Sequence, residues 1–235
     1  MTNAVQVSLD GGRLEIVLNR PERKNAVNSE LAVALGEAFD EASRRDDIGC
    51  ILLRGAGGAF CSGLDVAAPG AAPVAAPVDA WIAAHVARYR CRVPVVVALE
   101  RYAINAGAAL ALSAEIVVAG ESSFLQTSEI ALGMAAPMCQ AWLHLRHSPA
   151  AGDRLTLLGD RVPAAELLRL GVATEVVADD HVLVRARELA DRIAAHPAAG
   201  RAAIATTWRR LRGELDDPSA WFRGVAGRDR GSSTP

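Results

Sequence analysis

The sequence predicts an α/β fold, because strand-like and helix-like segments alternate along the chain. Two β-rich runs, Val5–Leu9 and Leu14–Leu18, flank an Asp-Gly-Gly triplet, an arrangement typical of a β-hairpin. Two later runs, Cys50–Leu53 and Val95–Leu99, are apolar throughout, as expected of strands covered on both faces. Between the two pairs, the segment 28–43 begins with a helix-capping asparagine and repeats its apolar residues at helical spacing. We therefore expect a sheet whose inner strands pack under helices.

The second half of the chain continues this alternation. Gly159 and Gly171 are expected just past the ends of two helices, and Pro163 at the first position of the second helix. The segment 67–77 is rich in Ala, Pro and Gly, has no periodicity, and predicts a loop. The other predicted elements are strands Ile116–Val118 and Glu175–Val177, a helical segment after Gly133, and helices over 180–195 and 198–213.

Length and composition restrict the class of protein. A chain of 235 residues, 51% of them hydrophobic, can form one domain with a core that needs no disulfide or metal. The net charge of −2, with acids and bases mixed, argues against nucleic acid or a membrane surface as the main partner. The four cysteines are scattered and no signal peptide is recognisable, so we expect reduced thiols and a cytoplasmic protein.

Two short segments built from small residues carry the strongest functional signal. Phe60–Asp65 follows the run Cys50–Leu53, and the segment 103–110 follows Val95–Leu99; each leads into a helix-like stretch. The first N–H groups of a helix have no acceptor within that helix. Two such turns facing each other would direct two backbone donors at one oxygen, which is the arrangement of an oxyanion hole.

These two segments and three others resemble sequence motifs of the crotonase family, the enoyl-CoA hydratase/isomerase superfamily. The match covers residues 5–200 in the family's order, and five ordered motifs rarely coincide by chance. The segments are Leu18–Ala26 (LNRPERKNA), Phe60–Asp65 (FCSGLD), Pro94–Ala98 with Tyr102–Gly107 (PVVVA and YAINAG), Ser128–Gly133 (SEIALG), and Gly159–Glu166 with Leu170–Ala173 (GDRVPAAE and LGVA).

The resemblance implies a fold and an assembly. The family has a core of repeated ββα units that form a spiral of two near-perpendicular sheets, expected here over 1–195 together with the acyl-CoA site. A C-terminal helical region, expected over 196–223, joins subunits into trimers, and a disordered tail is expected over 224–235. We therefore expect a homotrimer or a dimer of trimers.

The resemblance also implies a ligand. It predicts a coenzyme A thioester as substrate or ligand, no further cofactor and no metal, with the thioester oxygen held by the backbone N–H groups of Leu64 and Ala106. Arg23 and Lys24 are expected near the coenzyme A phosphates, with ordinary surface charges as the alternative for both. The other implied contacts to coenzyme A involve Ala26, Ser62, Asp65 and Val66, the last three holding the adenine through main-chain atoms.

Glu129 is the candidate general acid and base. It lies between Ser128 and the apolar residues 130–132, a partly desolvated setting that raises the pKa of a carboxyl group toward a useful value. The alternative is a glutamate at a helix start or on the surface. Met134, Met138 and Trp142 have two interpretations: they line an acyl pocket or belong to the core.

Ala109 departs from the family pattern, since the hydratase branch carries a second glutamate at this position. Syn addition of water needs one group to activate the water and another to handle the α-proton, so we expect weak or absent hydratase activity. One carboxylate can still move a proton from C2 to C4 of an enoyl-CoA, which predicts isomerase-like chemistry. A non-catalytic acyl-CoA-binding protein of the same fold is the alternative.

Overall fold

The computed structural model of the protein describes residues 4–65 and 78–228, so Val66 and the loop predicted at 67–77 lie outside the described residues. In the first range the elements are β1 (Val5–Asp10), β2 (Arg13–Leu18), α1 (Ser29–Arg44) and β3 (Cys50–Gly55). From residue 78 they continue as α2 (Val78–Arg90), β4 (Val95–Leu99), β5 (Tyr102–Ile104), α3 (Ala106–Leu112), β6 (Ile116–Gly120), β7 (Phe124–Gln126), α4 (Pro137–Arg146), α5 (Pro149–Leu157), β8 (Arg161–Pro163), α6 (Ala164–Arg169), β9 (Glu175–Val177), α7 (Val182–Ala194), α8 (Ala198–Arg212) and α9 (Pro218–Val225). Short 3₁₀ helices lie at Pro21–Arg23, Ser128–Leu132 and Asp179–His181.

Within these ranges the strands form one sheet of six strands, ordered β1-β2-β3-β4-β6-β9, and one of three, ordered β5-β7-β8. The predicted hairpin is confirmed: β1 and β2 are antiparallel, with Val5 opposite Leu18 and Asp10 opposite Arg13. The other neighbours in the larger sheet are parallel. The carboxyl ends of these parallel strands therefore lie at one edge, which is where ligands bind in open α/β sheets.

Helices cover both faces of the parallel strands, which explains why the runs in β3 and β4 are apolar throughout. On one face the sheet residues Cys50, Leu52, Val96, Ala98 and Val118 pack with Val182, Ala186 and Ala190 of α7. On the other face Ile51, Leu53, Val95, Val97 and Leu99 join the main core, which includes buried residues of α1, α2 and α3.

The helix α1 forms as the sequence predicts. The Asn28 side chain accepts a hydrogen bond from the Leu31 N–H at 2.9 Å and so caps the helix. The predicted apolar face is buried, comprising Leu31, Leu35, Ala38, Phe39 and Ala42. The sequence gives no comparable signal for α2, because that helix is buried on most sides and has no polar stripe.

Several element boundaries differ from the predictions by a few residues, among them the starts of two helices and of the predicted tail. Pro163 is the last residue of β8 and the N-cap of α6, one position before its predicted place, because its ψ of 159° is extended. The helix predicted from residue 180 begins at Val182, since the 3₁₀ helix Asp179–His181 precedes it. At the C-terminal end α9 continues past Gly224, where a disordered tail was predicted to begin.

The two C-terminal helices differ in how they pack. Phe222 of α9 is fully buried, and its ring centroid lies 5.7 Å from that of Trp142 in α4. The described residues of α8 include none that is buried, and Ile204, Trp208 and Leu211 each expose more than half of their surface. None of the helices in the described ranges combines the length and apolarity that crossing a bilayer requires.

Candidate active site

The two turns predicted to bind a thioester oxygen lie side by side. The Cys61 N–H donates to the Tyr102 carbonyl at 3.2 Å, and the Ile104 N–H donates to the Cys61 carbonyl at 3.0 Å. A β-carbon at Gly107 would lie 2.5 Å from the Cys61 carbonyl oxygen, so this close approach needs a glycine. The segments 61–65 and 104–107 therefore touch through their backbones.

The backbone N–H groups of these turns that donate to no acceptor in the described chain include those of Leu64 and Ala106. The Val27 N–H donates to the Gly63 carbonyl, and the Asp65 N–H donates to the Val27 carbonyl, both at 2.8 Å. Successive residues of an extended chain direct their N–H groups to opposite sides, so the N–H of Leu64 points away from Val27. Ala106 is the first residue of α3 and has no acceptor within that helix. Within the described chain, neither N–H donates a hydrogen bond.

Asn105 connects the second turn to the segment that carries Glu129. It is the N-cap of α3, and its Oδ1 atom accepts hydrogen bonds from the N–H of Ser128 at 2.8 Å and from the Ser128 hydroxyl at 3.0 Å. Ser128 opens the 3₁₀ helix in which Glu129 is the second residue. Two hydrogen bonds therefore join the turn that bears the Glu129 carboxyl group to Asn105, the residue before Ala106.

The Glu129 carboxyl group is partly shielded from water. Its Oε2 atom is buried and has no hydrogen-bond partner in the part of the chain that the structure describes. Burial raises the pKa of this group above its ordinary value of 4.5. The Cys139 thiol donates to the Asn105 carbonyl at 3.3 Å, and burial and the nearby charge of Glu129 raise the pKa of the thiol. A carboxylate in such a setting is a stronger base than one in water.

We expect proton abstraction by Glu129 to increase with pH through a midpoint above 4.5, the ordinary glutamate value. Only the deprotonated carboxylate can accept a proton, and burial shifts its pKa upward, so the rate falls as acidification passes the raised pKa. The measurement is the pH dependence of kcat/KM at constant ionic strength. A midpoint at or below the ordinary value would contradict a desolvated base.

Backbone hydrogen bonds join the segments that are predicted to bind coenzyme A. The Ser62 N–H donates to the Lys24 carbonyl at 3.1 Å, which brings these two predicted contacts together. Ala26 is buried, and its carbonyl accepts a hydrogen bond from the Arg20 guanidinium at 2.5 Å. Both predicted cations, Arg23 and Lys24, are exposed at the rim of this region.

The Asp65 carboxylate binds two arginines, a contact that no sequence motif indicates. Its oxygens lie 2.8 Å from Nη2 of Arg20 and 2.7 Å from Nη2 of Arg23. Burial alone would raise the pKa of Asp65, but the hydrogen bonds from Arg23 and Arg20 outweigh burial and leave the pKa below its ordinary value. The charge of Arg23 is thus partly neutralised. Lys24 has no acidic partner within ion-pair distance in the described ranges.

We expect Lys24→Ala to weaken coenzyme A binding by about two- to fivefold, and Arg23→Ala to weaken it less, because Arg23 already pairs with Asp65. Titration calorimetry with coenzyme A and with pantetheine, which lacks the phosphates, measures the effect. The loss of affinity should appear with coenzyme A and not with pantetheine. Equal coenzyme A affinities for the wild type and Lys24→Ala would contradict a phosphate contact at this residue.

A cavity of about 150 Å³ opens beside the 3₁₀ helix that carries Glu129. Its lining includes Ile130, Met134, Ala136, Gln140 and Leu157. Three residues were predicted either to line an acyl pocket or to belong to the core. Met134 lines this cavity, whereas Met138 and Trp142 are buried in the core. Most of its lining residues are apolar, and Ile130, the residue after Glu129, is one of them.

Ala109 lies in α3, all seven residues of which are buried. Its N–H donates to the Asn105 carbonyl at 3.0 Å, which closes the first turn of that helix. The helix consists of Ala, Gly and Leu residues, so it supplies no ionisable side chain to the site.

The family of this chain follows from its similarity to known proteins. The family model described as enoyl-CoA hydratase/isomerase matches residues 10–217. The chain belongs to the enoyl-CoA hydratase/isomerase family. A 1,2-epoxyphenylacetyl-CoA isomerase from Escherichia coli is 33% identical over 200 residues, which are 82% of this chain and 76% of that relative. A carnitinyl-CoA dehydratase from Proteus mirabilis is 31% identical over 89% of this chain and 81% of its own length.

Solved structures of this family confirm the crotonase fold. A carnitinyl-CoA hydratase from Mycobacterium avium matches with a TM-score of 0.81 at 27% identity, covering 97% of this chain and 89% of that chain. An enoyl-CoA hydratase/isomerase from Pseudoalteromonas atlantica matches with a TM-score of 0.79 at 26% identity, covering 96% of this chain and 88% of that chain. The α/β fold implied by the five motifs is therefore confirmed.

Proposed function

We propose that this chain binds a coenzyme A thioester and transfers a proton at C2, the carbon next to the thioester carbonyl. The backbone N–H groups of Leu64 and Ala106 bind the thioester oxygen, and Glu129 removes the proton. Each donor then contributes about 3 kcal/mol to stabilising the transition state. The observation that carries this proposal is the placement of the Leu64 and Ala106 N–H donors, unpaired in the described residues, on touching turns. The second of these turns is hydrogen-bonded to the segment that carries the partly buried Glu129 carboxyl group, whose Oε2 atom has no partner in the same residues.

The relatives support a thioester substrate, since the isomerase and the dehydratase are both named for coenzyme A esters. Loss of the C2 proton places negative charge on the thioester oxygen, so the reaction needs a base and an oxyanion hole at the same time. The Lys24 and Arg23 side chains lie at the rim of the same region, where they can meet the phosphates.

We assign double-bond isomerisation rather than hydration to this site. Glu129 takes a proton from C2 of a 3-enoyl-CoA, and the electrons of the broken C–H bond form a dienolate held by the two N–H groups. The carboxylic acid then returns the proton to C4, which leaves the double bond between C2 and C3. One carboxylate performs both steps, whereas hydration needs a second group, and α3 supplies none.

The test compares two substrates under the same conditions. A 3-enoyl-CoA reports isomerisation through the appearance of the conjugated thioester, and crotonyl-CoA reports hydration through the loss of that conjugation. We expect isomerisation to be the faster reaction. Faster hydration of crotonyl-CoA would contradict the assignment and would require a water-activating group in addition to Glu129.

A non-catalytic acyl-CoA-binding protein is the second candidate, favoured by the lack of an ionisable side chain in α3. Such a protein would keep both N–H donors and bind the thioester without moving a proton. Calorimetry with butyryl-CoA and deuterium exchange at its C2 position in D₂O separate the two candidates. Tight binding without exchange would assign the chain to the binding proteins.

We further propose a homotrimer, alone or paired into a hexamer. The helix α8 exposes the apolar side chains of Ile204, Trp208 and Leu211, and contiguous exposed apolar residues mark contact surfaces. Size-exclusion chromatography with light scattering measures the mass. A monomer at micromolar concentration would contradict this assembly.

A further inference from the structure

The backbone at Asn105 adopts a conformation that favours glycine. Its φ is 49° and its ψ is −107°, a region in which a residue with a side chain costs stability. Small residues follow it in the sequence, at 106–109, yet an asparagine stands at this position. Strained residues concentrate at functional sites, so the side chain of Asn105 is the feature to explain.

The contacts of Asn105 join three segments of the site. Its Oδ1 atom accepts two hydrogen bonds from Ser128, one from the backbone N–H and one from the hydroxyl. The N–H of Ser128 belongs to the first turn of a 3₁₀ helix and needs an acceptor from outside that turn. The Asn105 backbone donates to the Gln126 carbonyl at 2.8 Å and accepts from the Ala109 N–H at 3.0 Å and the Cys139 thiol at 3.3 Å.

We propose that Asn105 is a positioning residue for Glu129. Its side chain holds Ser128, and thereby the carboxyl group of the next residue, in a fixed relation to the N–H of Ala106. This inference rests on the proposed function, in which Glu129 and Ala106 act on the same thioester. Glycine at 105 would relieve the backbone, but it would leave the N–H of Ser128 without its acceptor and the Glu129 turn free to shift.

Arg101 offers a matched control. It also has a positive φ, 55°, and its exposed side chain makes no hydrogen bond or ion pair within the described chain. Arg101→Gly therefore also places glycine at a positive φ, without removing a contact to Ser128. Asn105→Asp is the conservative variant, because it keeps an acceptor oxygen at the same place.

We expect Asn105→Gly to lower kcat for C2 proton transfer by about 10²-fold with little change in the Kd of acyl-CoA, since small displacements of a catalytic group are costly. Strain relief offsets the lost hydrogen bonds, so the Tm should stay within about 3 °C of the wild type. Arg101→Gly should keep the wild-type rate. Asn105→Asp should recover activity and raise the pH midpoint through its added charge.

The pKa of Glu129 can be measured without turnover, so it tests the role of Asn105 independently of catalysis. Titration of the Glu129 carboxyl by ¹³C NMR, assigned with Glu129→Gln, gives its pKa directly. We expect Asn105→Gly to lower this pKa toward the ordinary value of 4.5, because the released turn lets water reach the carboxyl group. An unchanged pKa would overturn the positioning role, whatever the rate. A wild-type protein that exchanges no C2 proton would instead overturn the proposed function.

Discussion

Glu129→Gln is expected to lower the rate of proton transfer at C2 by about 10³-fold or more, while the Kd of a saturated acyl-CoA hardly changes. Glutamine keeps the size of the side chain but cannot accept the proton. Binding depends on the two backbone donors and on the coenzyme A contacts, which the substitution leaves in place. Deuterium exchange at C2 of butyryl-CoA, followed by proton NMR, measures the rate, and calorimetry measures the Kd.

Unfolding cannot account for this loss, because the substitution is expected to stabilise the protein. The folded state raises the pKa of Glu129, so above pH 4.5, the ordinary value, the free energy of unfolding is lowered by the cost of the buried charge. Glutamine removes that cost at neutral pH. Glu37→Gln, at an exposed position of α1, is the matched control and should keep the wild-type rate. Full activity of Glu129→Gln would show that another group is the base.

Removal of the Ala106 N–H is expected to lower kcat by about 10²- to 10³-fold. Lactic acid introduced at position 106 keeps the methyl side chain and replaces only the backbone N–H with an ester oxygen. The loss should appear in kcat more than in KM, because the hydrogen bond strengthens as charge develops on the thioester oxygen. Isomerisation of a 3-enoyl-CoA provides both constants.

The control for this experiment comes from another helix of the chain. Ala198 is the first residue of α8, as Ala106 is of α3, and it is exposed. Lactic acid at position 198 removes a helix N-terminal N–H in the same chemical way and should leave the rate unchanged. Equal rates for the wild type and the ester at 106 would exclude this N–H from the oxyanion hole.

Local patterns explain which parts of the fold could be predicted from the sequence. The apolar runs of β3 and β4 follow from burial on both faces, and Asn28 caps α1 through its own side chain. Gly159 and Gly171, with φ of 65° and 71°, stand just past α5 and α6 because left-handed backbone favours glycine. Each of these signals lies within one element or turn.

Contacts between distant segments explain what could not be predicted. Asp65 pairs with Arg20, which is 45 residues away in the sequence, and with Arg23, which is 42 residues away. Asn105 and Ser128 are 23 residues apart. These contacts depend on the path of the chain. Strands β5, β7 and β8 have three residues each, too few to show a period of two; β9 is as short, but its two valines favour a strand. The burial of Glu129 could be predicted from its apolar neighbours, but its attachment to Asn105 could not.

A crystal structure of the protein with bound butyryl-CoA tests the central claim most directly. We expect the thioester oxygen to lie about 2.7–3.1 Å from the backbone nitrogens of both Leu64 and Ala106, with the Glu129 carboxylate facing C2. A thioester oxygen bound by other groups, or two nitrogens too far apart to share one oxygen, would contradict it.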